Sequence, residues 1–364
     1  MENKIITLIK EAETFREKAE YGEALKVFRK ALSLSRKNGN VSGILDSTLG
    51  IADISRMTGN FDFAINKYEE ALEACEALGQ ALTAADCMVG LGLSLRAIGM
   101  WKDALRFISA AHKTYRKEKD KKGTAFSLWA EGGVMRVAGN IRKAIVLFEE
   151  AKELFGAIGF APGVAYAMCG LGGTHRIAGN YFESLNYYKQ ANQMFGKLKD
   201  KFGTAYSHCG IGNACRMKNR YGDAARHFNK AAGLYEEIGD VVSYSYTLWS
   251  VATVHKMNMD FTQARSYVAL AQNNFRKTKD PRGIIYCDML LGEVDFMMGR
   301  KASAEKRVCR AAQSSKRYGF TLELCHAKTL LAIMAGAASN SVPLSCYTKI
   351  GVTMHNAAIP FNMP

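Results

Sequence analysis

A period of 40 residues runs through this chain and barely slips, and no other feature narrows its fold so far. Alanine returns at Ala24, Ala64, Ala104, Ala144, Ala224, Ala264 and Ala304, with Ser184 in the one gap. Seven residues on, Ala31, Ala71, Ala111, Ala151, Ala191, Ala231, Ala271 and Ala311 recur without exception. Between them lie Phe28, Tyr68, Ile108, Phe148, Tyr188, Phe228, Val268 and Val308. Such a period marks stacked supersecondary units, none of which can bury its apolar face alone. Each unit reads as two helices. Residues 121–138 form one, stopped at Gly139-Asn140, and residues 141–158 form the next, stopped at Gly159, since glycine past a helix end relieves the left-handed turn there. Only five prolines occur, three of them in the last 22 residues, so little interrupts helix before that point. The recurring alanines and glycines predict close helix contacts, because helices approach only where side chains are small.

The register resembles the tetratricopeptide-repeat family over about residues 1–338. Its pattern, W-x2-L-G-x2-Y followed by A-x3-F-x2-A, falls on Met168, Leu171, Gly172, His175, Ser184, Tyr188 and Ala191 in the fifth unit. In the third it falls on Met88, Leu91, Gly92, Leu95, Ala104, Ile108 and Ala111. The tryptophan and tyrosine positions are degenerate, and the family proline closing the second helix is absent. Units of 40 residues are similar to those of kinesin light chain and of the adaptors between G-protein α subunits and mitotic-spindle proteins. The resemblance implies an all-α superhelix of about eight helix pairs plus a capping helix near 321–337. It also implies a concave face lined by the first helix of each pair.

Two stripes separate on those first helices at 100° per residue. In the second unit, positions 48, 51, 52 and 55 share the packing side, and positions 46, 49, 53 and 56 share the other, which should face the groove. The last groove position is a basic ladder of Arg16, Arg56, Arg96, Arg136, Arg176, Arg216 and Lys256, ended by Phe296. The first carries Asp46 and Asp86, then Phe126, Tyr166, Tyr206, Tyr246 and Tyr286. The third is often small or polar: Asp53, Gly133, Gly173, Asn213, Thr253. Trp129 and Trp249 complete the expected lining. Arginine's planar fork suits carboxylates, phosphates and backbone carbonyls, so the ladder reads as a ligand groove. The competing reading makes these arginines helix-to-helix ties or a solvated face.

No phosphate loop, HExxH or nucleophile elbow occurs, and Glu131, Glu293 and Asp295 read as isolated acids, so neither catalysis nor a cofactor or metal is expected. His175 and His255 sit at a packing position and read as core residues with one hydrogen bond each. The formal charge of +15 favours attraction to anions. The basic runs at 116–122, 197–201 and 276–282 form one ridge, which reads as solubilising, with a contact to phosphates or a membrane surface as the alternative. No nucleic-acid motif supports binding of single-stranded bases between arginine and tyrosine, and nucleic acid is an unlikely partner on that ground. Nine scattered cysteines without a CxxC favour a reducing cytoplasm. No stretch reaches membrane-spanning length.

Residues 339–364 leave the repeat. Lys349 is their one charge, and Ile350, Val352, Met354, Ile359, Phe361, Met363 and Pro364 give an apolar alternation that predicts an extended segment. Left in water it would be a liability. It can dock in a groove, in its own chain or in a second copy, be read by a partner, or cap the last repeat. The function expected is a peptide-binding scaffold or adaptor, with this tail as a candidate occupant and a homo-oligomer as one consequence. The alternative is a sensor for an acidic, phosphorylated or single-stranded nucleic-acid ligand.

Overall fold

A computed structural model describes residues 2–337, 344–355 and 358–363. Eight antiparallel helix pairs follow one another: α1 (Glu2–Glu17) with α2 (Tyr21–Lys37), α3 (Val41–Met57) with α4 (Phe61–Ala77), α5 (Ala81–Ala97) with α6 (Trp101–Lys117), and α7 (Lys121–Ala138) with α8 (Ile141–Ala157). They continue with α9 (Ala161–Ala178) and α10 (Tyr181–Leu198), α11 (Lys201–Met217) and α12 (Tyr221–Ile238), α13 (Val241–Met257) and α14 (Phe261–Lys277), and α15 (Pro281–Met297) and α16 (Lys301–Tyr318). The unpaired α17 (Thr321–Met334) closes the stack, and α18 (Ser345–Lys349) is a single short helix in the tail. The described residues contain no strand. The chain is therefore an all-α solenoid of helix pairs.

Local chemistry sets the boundaries. Asn40, Asp120, Asp200, Asp240 and Asp280 cap the helices that follow them, each side chain accepting from the backbone N–H three residues on. Gly139, Gly179, Gly239 and Gly319 end helices in the left-handed conformation. Packing explains the small residues inside the helices. The Phe148 ring is clamped between Gly132 of its own pair and Gly170 of the next. A Cβ at Gly170 would come within 2.5 Å of it. The same ring position recurs as Tyr68, Tyr188 and Phe228, all buried. Burying one such ring contributes about 2–3 kcal/mol, and because each ring contacts two successive pairs, it fixes the angle at which units stack.

The stack curls back on itself. Trp101 Nε1 donates to the Tyr318 carbonyl at 3.0 Å across 217 residues, and 217/40 is about 5.4 units. Lys279 pairs with Asp62 at the same separation. Gly59 lies against Thr278 and Val242, Gly99 against Tyr318 and Pro281, and Gly139 against Thr321. The C-terminal helices thus ride along the N-terminal ones as a seam, which encloses the concave face as a channel.

Candidate ligand channel

The two stripes of α3 behave differently in the structure. Thr48, Ile51, Ala52 and Ser55 are buried, whereas Asp46 is exposed and Leu49, Asp53 and Arg56 keep partial exposure. Four rungs of the basic ladder show an offset of 37 residues: Arg16, Arg96, Arg136 and Lys256 each lie against the third groove position of the following unit. Arg16 Nη1 meets Asp53 at 2.6 Å, and Lys256 Nζ meets Glu293 at 2.8 Å. Glu293 is thus no isolated acid. Its signal in the sequence was this offset, which becomes visible only once adjacent helices are known to lie side by side.

At the N-terminal mouth, Arg16 and Arg56 flank Asp53, which also accepts from the Tyr68 hydroxyl at 2.5 Å. Burial alone would raise the Asp53 carboxyl, but Arg56 and Arg16 outweigh it and hold it below the usual carboxylate range. These groups, with Asp46, Asp86 and Phe126, line a cavity of about 420 Å3. Asp86 is held by the Tyr115 hydroxyl at 2.5 Å.

Several residues expected to line the groove are spent on holding units together. Tyr166 and Tyr246 donate to Asp200 and Asp280, the caps of the following units, at 2.8 and 2.9 Å, and Tyr286 donates to Glu323 at 2.8 Å. Their rings pack on Phe195, Phe275 and Trp249 respectively. Trp129 and Trp249 donate to the carbonyls of Tyr166 and Tyr286, both 37 residues on. Aromatics with a polar tip suit this role, since ring and donor are both satisfied between helices. Tyr206 is half-buried and stacks on Phe202. His175 and His255 are half-buried, each with one hydrogen-bond partner and a tyrosine stacked on its ring.

The described residues of the tail lie along the C-terminal half of the channel. The tail is not extended throughout, because residues 345–349 form α18, where Tyr347 is buried with its hydroxyl 2.8 Å from His326 Nδ1. Val352 packs with Ile177 and Leu322. The Thr353 N–H donates to the Ala178 carbonyl at 3.0 Å, and His355 Nε2 lies 2.9 Å from the Gly179 carbonyl. Here the tail takes the place on the seam that a further helix would occupy. Ile350, Met354 and Ile359 are half-buried against the same clusters.

Beyond the bend at 359–360, the ladder grips the main chain. The Phe361 N–H donates to Glu293, Lys256 Nζ donates to the Phe361 carbonyl at 2.7 Å, and Arg216 Nη2 donates to the Met363 carbonyl at 2.8 Å. Arg216 also donates to Asn362, whose amide returns a bond to the Arg216 carbonyl at 3.0 Å, and Asn213 accepts from Arg216 at 3.2 Å. Phe361 and Met363 are buried, as are Arg216 and Lys256. Burial pushes the Arg216 guanidinium down to about 9, with Arg176 adding repulsion. Burial likewise lowers Lys256 and raises Glu293, and each opposes the other's shift. Pro364 lies outside the described residues.

Among the described residues no cluster of His, Cys, Asp and Glu is placed to hold a metal ion, and no helix is long and apolar enough to cross a membrane. A family model described as tetratricopeptide repeat matches residues 43–117 and 163–237. No curated protein matches the chain. Among solved structures it is similar to the Rap conjugation gene regulator of plasmid pLS20 in complex with the Phr* peptide, with a TM-score of 0.65 and 11% identity over 86% of this chain and 95% of that one. It is also similar to a Rap protein complexed with competence and sporulation factor, with a TM-score of 0.61 and 12% identity over 93% of this chain and 100% of that one. The apo form of RapI is a third, with a TM-score of 0.53 and 16% identity over 76% and 99%. At such identities the likeness is one of fold. The narrower kinship with kinesin light chain and the spindle adaptors draws nothing from these matches.

Proposed function

We propose that this chain, a tetratricopeptide-repeat protein, is a peptide-binding scaffold whose channel holds an extended segment by its main chain, and that its own residues 350–363 are the resident occupant. The observation that carries this reading is the set of three charged groups spent on backbone. Glu293 accepts one N–H, while Lys256 and Arg216 donate to two carbonyls, with Phe361 and Met363 seated between. Groups that read backbone rather than side chains suit a channel able to exchange one extended peptide for another, with side-chain pockets supplying selectivity. That a protein of similar fold, the Rap conjugation gene regulator of plasmid pLS20, is described in complex with a peptide agrees with it. Tethering keeps the tail at an effective concentration of about millimolar, so an external ligand competes against a resident one.

The test removes residues 345–364 and adds back a synthetic peptide of residues 350–364, followed by calorimetry. Binding with one-to-one stoichiometry, lost when Lys256→Met is introduced into the truncated chain, is the expected result. Absence of binding by a truncated chain of unchanged helicity would overturn the reading.

A further inference from the structure

Two pairs of thiols in this chain lie within hydrogen-bond reach of each other, Cys75 with Cys87 and Cys325 with Cys346. Their surroundings differ. Cys75 on α4 and Cys87 on α5 are both wholly buried, between helices that packing already holds together. Cys325 on α17 is buried, whereas Cys346 on α18 keeps partial exposure. This second pair spans the joint between the stack and the tail. The residue after each cysteine repeats the contact, His326 Nδ1 meeting the Tyr347 hydroxyl at 2.8 Å, so α17 and α18 face each other over consecutive positions. Ile141, Ile177, Leu322 and Val352 pack with the pair in one apolar cluster.

A covalent bond at this joint acts on the whole tail. Residues 350–363 begin four residues beyond Cys346, and their hold on the channel consists of hydrogen bonds and buried side chains, all of them reversible. Joining Cys346 to Cys325 closes a loop of about 20 residues, which in the chain-entropy account favours the docked arrangement about a hundredfold. The Cys75 and Cys87 pair offers no such gain, since neither sulfur meets solvent and both helices stay in place without it.

We propose that Cys325 and Cys346 are a redox latch: a disulfide between them fastens the tail to the last helix of the stack and keeps the channel filled under oxidising conditions. The consequence, exclusion of other peptides, rests on the peptide-channel reading. The oxidant is a low-molecular-weight disulfide, RSSR, of the glutathione class. Burial pushes the Cys325 thiol up and the neighbouring Cys346 adds to this, so Cys325 keeps its proton while the more exposed Cys346 meets the oxidant. Cys346 gives its proton to solvent, its sulfur attacks RSSR, and one thiolate leaves. Cys325 then loses its proton, attacks the Cys346 sulfur of the mixed disulfide and expels the second thiolate. Both leaving thiolates take up a proton, so the pair is oxidised by two electrons and RSSR is reduced to two RSH.

The test treats the full chain with oxidised glutathione, blocks the remaining thiols, digests with trypsin and reads the fragments by mass. Peptides 318–328 and 329–349 should appear joined, and should separate on reduction. Hydrogen exchange should show the amides of Val352 and Thr353 protected at least about tenfold more in the oxidised chain than in the reduced one, within the hundredfold that loop closure allows. Dithiothreitol should reverse this. Cys346→Ser should abolish both effects at unchanged helicity, and Cys309→Ser, on α16, should alter neither. Cys325 and Cys346 found unlinked, capped by glutathione or joined to other cysteines would overturn the proposal. A joined pair with unaltered protection in the tail overturns it as well. Neither result touches the main-chain reading, whose own failure is the absence of tail-peptide binding to the truncated chain, from which Cys346 has been removed.

Discussion

Replacing Phe361 by alanine asks whether the tail is held by the channel or merely lies near it. The ring is 1% exposed, sits edge-on to His326 at 5.8 Å between centroids, and belongs to the cluster around Leu290, Val294 and Leu330. Truncating a buried phenylalanine costs about 3–5 kcal/mol when the surroundings cannot collapse into the space. A tail that can shift relaxes more easily than a core, so the lower end applies, and about 3 kcal/mol weakens docking roughly a hundredfold. Hydrogen exchange followed by mass spectrometry resolves the effect. Peptides spanning 345–363 should lose protection by about that factor, including the amides of Val352, Thr353 and Phe361, which are bonded to Tyr347, Ala178 and Glu293. Exchange in α3 to α6 should not change, because among the described residues the tail makes its contacts on α8, α9, α11 and later helices. Unaltered protection in the tail would refute the reasoning. So would a loss spread evenly over the repeats, which would make Phe361 part of the general core.

Two further outcomes follow from the packing and the buried charges. Burial lowers His326 to about 4, with the Glu323 charge opposing this and Arg282 and Arg176 reinforcing it, and the Tyr347 hydroxyl on its other side. Its folded value lies below the ordinary one, so its contribution, about 3 kcal/mol, is complete above pH 6.5 and is lost as pH falls toward 4. Thermal melts at intervals between pH 7 and 4 should therefore show falling stability, and His326→Gln should flatten that slope; an unchanged slope would refute the assignment. Gly170→Ala places a methyl against the Phe148 ring and should destabilise the chain by about 1–3 kcal/mol in denaturant unfolding, whereas alanine at Gly156, which has nothing within 4 Å, should be tolerated.

The architecture was legible because the repeat is an arithmetic constraint: a register held over eight units admits few solutions. Helix ends were equally legible, the predicted pair at 121–138 and 141–158 matching α7 and α8 to within one residue. Both depend on contacts short in sequence, between a cap and its helix or between one pair and the next. The lining of the channel was less so. Tyr166, Tyr246 and Tyr286, with Trp129 and Trp249, share a helix face with the ladder, yet their polar tips tie one unit to the next. A face on a single helix does not say how far the next helix stands from it. Periodicity marked Ile350 to Met363 as apolar and awkward in water, but α18 and the bend at 359–360 came only with the fold. The seam at 217 residues, and the partners of Lys256 and Arg216 on the tail, depend on the small rotation between units summed over more than five of them. That sum is a property of the whole stack, which is why the identity of each rung could be read from the sequence while its partner was decided by tertiary structure alone.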